Sequence, residues 1–442
     1  MTKPIDTLIF PGWIVPVAPR GEILVDHALA VSQGRISALL PAEEARKLAA
    51  EEVVELPGQV LMPGLVNMHG HAAMTLLRGY ADDYPLMPWL EDHIWPVEGR
   101  HVGEEFVRDG TDLAIAEMLL AGTTFFSDMY FFPEVVAESV QSAGIRCQLS
   151  IPIIGFTTAW AANADECINK GLTLRDELKQ SELVNMAFGP HAHYTLDEPA
   201  LRKITTLANE LDLPVQIHLH ETAEEVAETE RATGQRSIAA LHEIGMIGPR
   251  TQCVHMTELN EEEIALLATQ GAHVIHCPDS NMKLGSGRCP VHQLVEAGVN
   301  VALGTDGAAS NNDLSLLGEM RSAALLAKLG ERDASRLPAA QVLEMATLGG
   351  ARALGLQEEL GSLEAGKLAD MIAVDLNHPR TQPVHNPVSA LVYSVDASQV
   401  SHSWVGGKPV MRERQLVNLD LDEVMHRAAR WPQRIDRERN SD

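Results

Sequence analysis

The chain has 442 residues, 45% hydrophobic and 21% charged, which describes a globular protein long enough to bury a large core. Its formal net charge of −27 repels phosphate backbones, which excludes nucleic acid as a partner but not a single nucleoside in a pocket. No apolar run is long enough to span a bilayer, so no membrane association is expected.

The N-terminal stretch MTKPIDTLIFPGWIVP is broken by proline and has no small-residue cleavage site after a basic start, so no signal peptide is expected. The five cysteines form neither a CxxC pair nor an evenly spaced framework. Reduced thiols and a cytoplasmic location follow. Residues 1–60 carry short runs (TLIF, WIVPV, ILVDHALAV, ISALL, EVVEL) broken by Gly, Pro and charge, the texture of β-strands. From LMPGLVNMHGH onward the pattern changes to strand then helix. TTFFSDMY, IRCQLSIPII, VNMAFGPHAHY, PVQIHLHE, TQCVHMT, AHVIHCPDS and NVALGTDGA complete eight strand candidates. Between them lie helical stretches such as EEFVRDGTDLAIAEMLL, EPALRKITTLANEL and AEEVAETERAT.

Near-continuous apolar strands alternating with helices predict an α/β fold, a (β/α)8 TIM barrel over residues 61–365. After residue 360 the strand texture returns in ADMIAVDL, SALVYSV and SHSWVGGKPVMRERQLV, with Gly406-Gly407 as a hairpin signal. Residues 1–60 and 366–442 are therefore expected to pair into one small β-sandwich domain formed from both chain termini. No GxGxxG follows an early strand and no GxxxxGK[ST] loop occurs, which counts against an open doubly wound sheet.

In such a barrel the chemistry sits where strands end. Reading only those positions gives Asn67, His69, His71, Ser127, Asp128, His191, His193, His218, His220, Glu221, His255, His276, Asp279 and Asp306. His69-Gly70-His71 is weak evidence alone; it gains weight from His218, His255 and Asp306 at matching strand ends. Residues two apart on a strand face the same way, so His69 and His71 both look into the barrel mouth, and Gly70 lets the backbone approach closely. Three imidazoles and one carboxylate (His69, His71, His218, Asp306) suit a divalent metal, zinc above all, with a position left for water. His193 and His220 read as packing or supporting residues, and His276 as lining the pocket or orienting a ligand. Asp128 reads as a structural loop carboxylate. Glu224, Glu225 and the run Glu261–Glu263 read as solvated helix faces. The fourth strand carries no lysine or glutamate to bridge two ions, so one metal is expected.

A metal so placed acidifies water for attack at neutral pH. Asp306 can accept the water proton, His255 can orient the attacking oxygen, and Glu221, three residues beyond His218, can protonate a substrate nitrogen. The set suits hydrolysis at a carbon flanked by nitrogens.

PGLVNMHGH, IHLHE, VHMTE and LGTDGAASNN resemble the strand signatures of the amidohydrolase superfamily, over nearly the whole chain. HAAMTLLRGYADDYPLMPWLEDHIWPVE and HCPDSNMKLGSG are similar to one branch, the 5-methylthioadenosine/S-adenosylhomocysteine deaminases. The resemblance implies His69, His71, His218 and Asp306 as metal ligands and Glu221 as proton shuttle to the purine. It further implies His255 orienting the water, Glu98 holding the ribose hydroxyls and His191 contacting the nucleoside. Read without it, Glu98 is a surface carboxylate. Members that accept S-adenosylhomocysteine use arginine before the fourth strand, where CQLSIPIIGFTTAWAANADECINKGLTL has none and places Trp160 in an apolar stretch. That departure favours 5'-methylthioadenosine over S-adenosylhomocysteine, with adenosine a slower substrate.

The cytidine-type zinc deaminases carry H-x-E and P-C-x-x-C, and neither occurs here. The nearer rivals are a sister amidohydrolase acting on guanine or an s-triazine, and an inactive metal-binding scaffold. A nucleoside substrate and a homo-oligomer are the expected partners.

Overall fold

The computed structural model describes residues 5–439. Through the middle of the chain run eight strands. They are β1 (Leu65–Gly70), β2 (Thr123–Asp128), β3 (Arg146–Ile153), β4 (Val184–Pro190), β5 (Val215–Leu219), β6 (Thr251–His255), β7 (His273–His276) and β8 (Asn300–Leu303). Each pairs in parallel with the next. Every residue of β2 and β3 is buried, as helix-covered strands must be, and this is why they read as unbroken apolar runs. The helices start on side-chain caps: Asp197, Thr222 and Asn260 accept from backbone N–H groups three residues on. Helices 104–120, 198–211 and 223–233 fall where the periodicity predicts them.

Closure joins β8 to β1. The Asp306 N–H donates to His69 O (3.0 Å), while the Asn67 amide accepts from Thr305 N–H (3.0 Å) and donates to Thr305 Oγ1 (2.7 Å). A Cβ added at Gly304 would stand 2.8 Å from His69 N, so the close backbone approach depends on Gly304. At Gly70 the nearest atom would be 3.4 Å away, an ordinary contact. The expectation placed on Gly70 is thus corrected: β8 crosses β1 one residue too early for Gly70 to be the tight point.

The two termini do pair, into one nine-stranded mixed sheet. Its centre is the strand Ala50–Pro63, parallel to Ile5–Ile14 on one side and antiparallel to Met371–Asp375 on the other. The sheet folds back on itself, because Ile36 N–H donates to Lys367 O (2.9 Å) and Ala369 N–H to Gly34 O (2.9 Å). Ile9, Leu29, Ile36, Leu61, Met371 and Trp404 fill the fold.

Part of the tail departs from strand texture. SALVYSV lies mostly within a helix, Pro387–Tyr393, because Asn386 caps it and Pro387 sits in its first turn. Helices Leu421–Ala428 and Trp431–Arg439 leave the sheet and dock on the barrel helix 104–120. Arg427 reaches Asp109 and Asp112 (2.7 Å each), and Trp431 Nε1 donates to Asp109 (2.9 Å).

Arg146, the first residue of β3, ties barrel to terminal sheet. Its Nε and Nη2 donate to both carboxylate oxygens of Asp370 (2.7 and 3.2 Å), in an almost fully buried pair. Arg146→Ala leaves Asp370 charged and buried, so the expected loss is about 3–5 kcal/mol. Urea denaturation measures it; a loss below about 1 kcal/mol would mean that solvent reaches Asp370 readily.

Candidate active site

At the C-terminal ends of the strands lies one cavity. His71, Glu98, His191, His218, Glu221, His255 and Asp306 line it, and fully buried His69 sits beneath them. These residues come from β1, the helix Trp95–His101, the ends of β4 to β6 and the turn after β8.

His69, His71 and Asp306 bring donor atoms together, as do His69, His218 and His255, each set within 4.8 Å. His71 Nε2 is 3.2 Å and His69 Nε2 3.4 Å from Asp306 Oδ1. The far ring nitrogens are all engaged by acceptors. His71 Nδ1 faces Met129 O (2.7 Å), His218 Nδ1 faces His191 O (2.7 Å) and His255 Nδ1 faces Asn281 Oδ1 (2.9 Å). His69 Nδ1 faces Gln216 Oε1 (3.0 Å). In His69, His71 and His218 Nδ1 therefore carries the hydrogen and Nε2 presents a lone pair inward. His218 Nε2 and His69 Nε2 oppose one another at 3.1 Å, an arrangement relieved by a shared cation. These residues fit a divalent metal.

The backbone is also committed. His255 (φ 73°) and Asp306 (φ 61°) adopt left-handed conformations that cost a non-glycine residue about 1–3 kcal/mol each. Asp306 is held there by Ser280 and Ser310, whose hydroxyls donate to Oδ2 (2.7 Å each), and by Gly307 N–H on Oδ1 (2.8 Å).

Burial pushes Asp306 up, but the adjoining His69 and His71 rings outweigh it and hold the carboxyl far below its usual range. Burial, then the charge of Asp306, raises Glu221 to about 8, so this carboxyl keeps its proton at neutral pH. Burial likewise raises Glu98 to about 7 and lowers His191 to about 4. The cavity thus sets a neutral acid, Glu221, beside an ionised carboxylate, Asp306.

Other positions divide. Asp128 accepts from Ala72 N–H (2.6 Å), a structural role as expected. His193 turns toward Ser237 (3.1 Å) and His220 toward Glu258 O (2.9 Å), both away from the cluster. His276 is buried beside β8 and does not line the cavity. Asp279 also stands outside the cavity lining, its carboxyl hydrogen-bonded to Ser322. Two expected solvated carboxylates are not solvated. Glu225 accepts from Glu221 N–H (2.7 Å), and Glu263 is buried against Arg236 (2.6 Å). Each is drawn inward by a donor, the Glu221 N–H for Glu225 and the Arg236 guanidinium for Glu263. Trp160 is buried among apolar neighbours but does not join the site. Its Nε1 donates to Glu134 (3.2 Å) and the ring packs outside the cavity, while Phe156 of the same segment lines it against Trp95.

Tyr130, Asn281 and Gln216 escape the sequence reading. Tyr130 Oη donates to Glu98 Oε1 (2.6 Å), which makes the supposed surface carboxylate a buried, oriented one. The one available signal was position: Tyr130 lies just past the end of β2.

Activated water beside a carboxyl that keeps its proton is the chemistry of hydrolases built on β/α barrels. Residues 60–410 match the amidohydrolase family model, and the chain belongs to the amidohydrolase family, whose members use a divalent metal. Proteins named 5-methylthioadenosine/S-adenosylhomocysteine deaminase from Teredinibacter turnerae and Saccharophagus degradans are 52% and 48% identical to it. The matches cover 98% and 99% of this chain and 98% of each relative. The crystal structure of an adenosine deaminase from Xanthomonas campestris with bound zinc superimposes at a TM-score of 0.97 and 48% identity. It covers 99% of this chain and 100% of that one. Among the described residues, no helix is long and apolar enough to cross a membrane.

Proposed function

We propose that the protein deaminates 5'-methylthioadenosine hydrolytically to the inosine analogue and ammonia, with one zinc ion held by His69, His71, His218 and Asp306. One observation carries the substrate reading. The cavity runs from Glu221 to Glu98 between apolar walls (Leu86, Trp89, Trp95, Phe156), and no Lys or Arg is among its lining residues. The curated relatives' names cover two thioether nucleosides, and this lining favours the one without a charged tail.

When bound, the metal supplies Lewis acidity that brings the pKa of water near neutrality. The chain's residues do the rest. Glu221 delivers its proton to the purine ring nitrogen beside the amino-bearing carbon, which readies that carbon for attack. His255 Nε2, 3.8 Å from Glu221 Oε1, orients the attacking water, and Asp306 accepts its proton. That proton then leaves with the amine as ammonia, and the hydroxyl proton returns to Glu221. Glu98, aligned by Tyr130, holds the ribose hydroxyls, and His191, neutral at working pH, contacts the nucleoside. Five buried, unpaired cysteines support a cytoplasmic setting.

The test is ammonia release from methylthioadenosine, S-adenosylhomocysteine, adenosine, guanine and an s-triazine. A charge-assisted pair is worth about 1.5–3 kcal/mol, so its absence should favour methylthioadenosine over S-adenosylhomocysteine by about 10- to 150-fold in kcat/KM. Equal efficiencies on both would sink the preference. Release from guanine or triazine alone would sink the nucleoside reading.

A further inference from the structure

Beneath the cluster, β3, β5 and β6 each contribute one glutamine to the barrel interior: Gln148, Gln216 and Gln252. They are 1%, 0% and 0% exposed, in a place that such barrels usually fill with branched apolar side chains. Gln216 and Gln252 stand opposite one another in strand register. Buried amides must be satisfied, and here the partners dictate which way each amide points.

A main-chain carbonyl only accepts. Gln252 Nε2 donates to Ala353 O (2.9 Å) and to Gln148 Oε1 (3.1 Å), so Gln252 Oε1 faces the other way. There it accepts from Gln148 Nε2 and Gln216 Nε2 (2.8 Å each). Gln216 Nε2 also donates to Met68 O (2.8 Å), which turns Gln216 Oε1 up to His69 Nδ1 (3.0 Å). Reversing the Gln216 amide would set its oxygen against two acceptors and its amine against the ring. Through Gln216 and Gln252 the donors therefore run one way, from His69 Nδ1 to Ala353 O, which places the His69 hydrogen on Nδ1 and its lone pair on Nε2. His71 and His218 take the same tautomer directly from main-chain carbonyls, whereas His69 alone depends on this relay. His69 is also the residue common to both possible donor sets.

We propose that Gln148, Gln216 and Gln252 are positioning residues that fix the His69 tautomer, so that Met68 O and Ala353 O together set its readiness to bind metal. The inference rests on reading the cluster as a metal site. Zinc dissociation constants, obtained by competition with a chromogenic chelator, test it in the wild-type protein, Gln216→Leu and Gln252→Leu. Loss of a group that orients a metal-binding histidine costs about 10- to 100-fold in affinity, expected in full for Gln216→Leu. Gln252→Leu, which touches no cluster residue, should weaken zinc about tenfold through Gln216.

In the metal-free wild-type protein, imidazole 15N shifts should show His69 protonated on Nδ1. Zinc affinity of Gln252→Leu within twofold of wild type, or a proton on His69 Nε2, overturns the relay. Lower thermal stability with unchanged zinc affinity would leave the glutamines a purely structural role and overturns it equally. Should Gln216→Leu not fold, Gln252→Leu and the wild-type 15N shifts still decide. A wild-type protein that takes up no zinc rejects the metal reading instead, and the 15N shifts then judge the tautomer on their own.

Discussion

Glu221→Gln should bind zinc as the wild type does and lose about 10²- to 10⁴-fold in kcat, the range of a general acid–base group. The amide can still hydrogen-bond a ring nitrogen, but it has no proton to surrender. The size of the loss follows from the setting, since burial and Asp306 together keep a proton on Glu221 at neutral pH. The replacement is nearly isosteric and removes no cluster donor, so metal content by emission spectroscopy should stay near one ion per chain. Single-turnover ammonia release, with that metal content, checks both halves. Turnover within a few-fold of wild type would strip Glu221 of its role.

Stripping the metal should bring turnover to background and destabilise the fold together. The inward Nε2 atoms and Asp306 Oδ1 face one another at 3.1–3.4 Å, and without a cation the opposed lone pairs lose what holds them. Linkage sets the scale: free metal at a hundred times its Kd stabilises the folded state by about 2.7 kcal/mol, and that much should vanish on chelation. Thermal scans before and after exhaustive dialysis against chelator, with zinc, manganese or iron returned, measure it. Full activity after chelation would reject the metal mechanism outright.

Much of this site could be read from residue order because its signal is local. A strand side chain alternates every second residue, and a barrel gathers strand ends at one mouth. Histidines at the ends of β1, β5 and β6 were therefore bound to converge with Asp306. The helices were legible for the same reason: caps such as Asp197 and Thr222 act within a single turn.

What stayed hidden depends on partners far away along the chain. Tyr130 meets Glu98 across 32 residues, and Gln216 meets His69 across 147. Glu225 and Glu263 look like surface charge on a helix until Glu221 N–H and Arg236 draw them inward. Trp160 and Phe156 sit four residues apart, and only the course of their loop sends one to Glu134 and the other to the cavity.

By itself, then, the sequence determined the alternating barrel, the pairing of its two ends into one sheet, and the cluster of histidines with Asp306. Periodicity and capping are properties of neighbouring residues, and they need no knowledge of the whole. Tertiary structure alone decided the protonation and direction of those groups. Burial raises Glu221 and Glu98, and the glutamines turn His69. Solvent exclusion and long-range hydrogen bonds exist only once β8 has closed on β1.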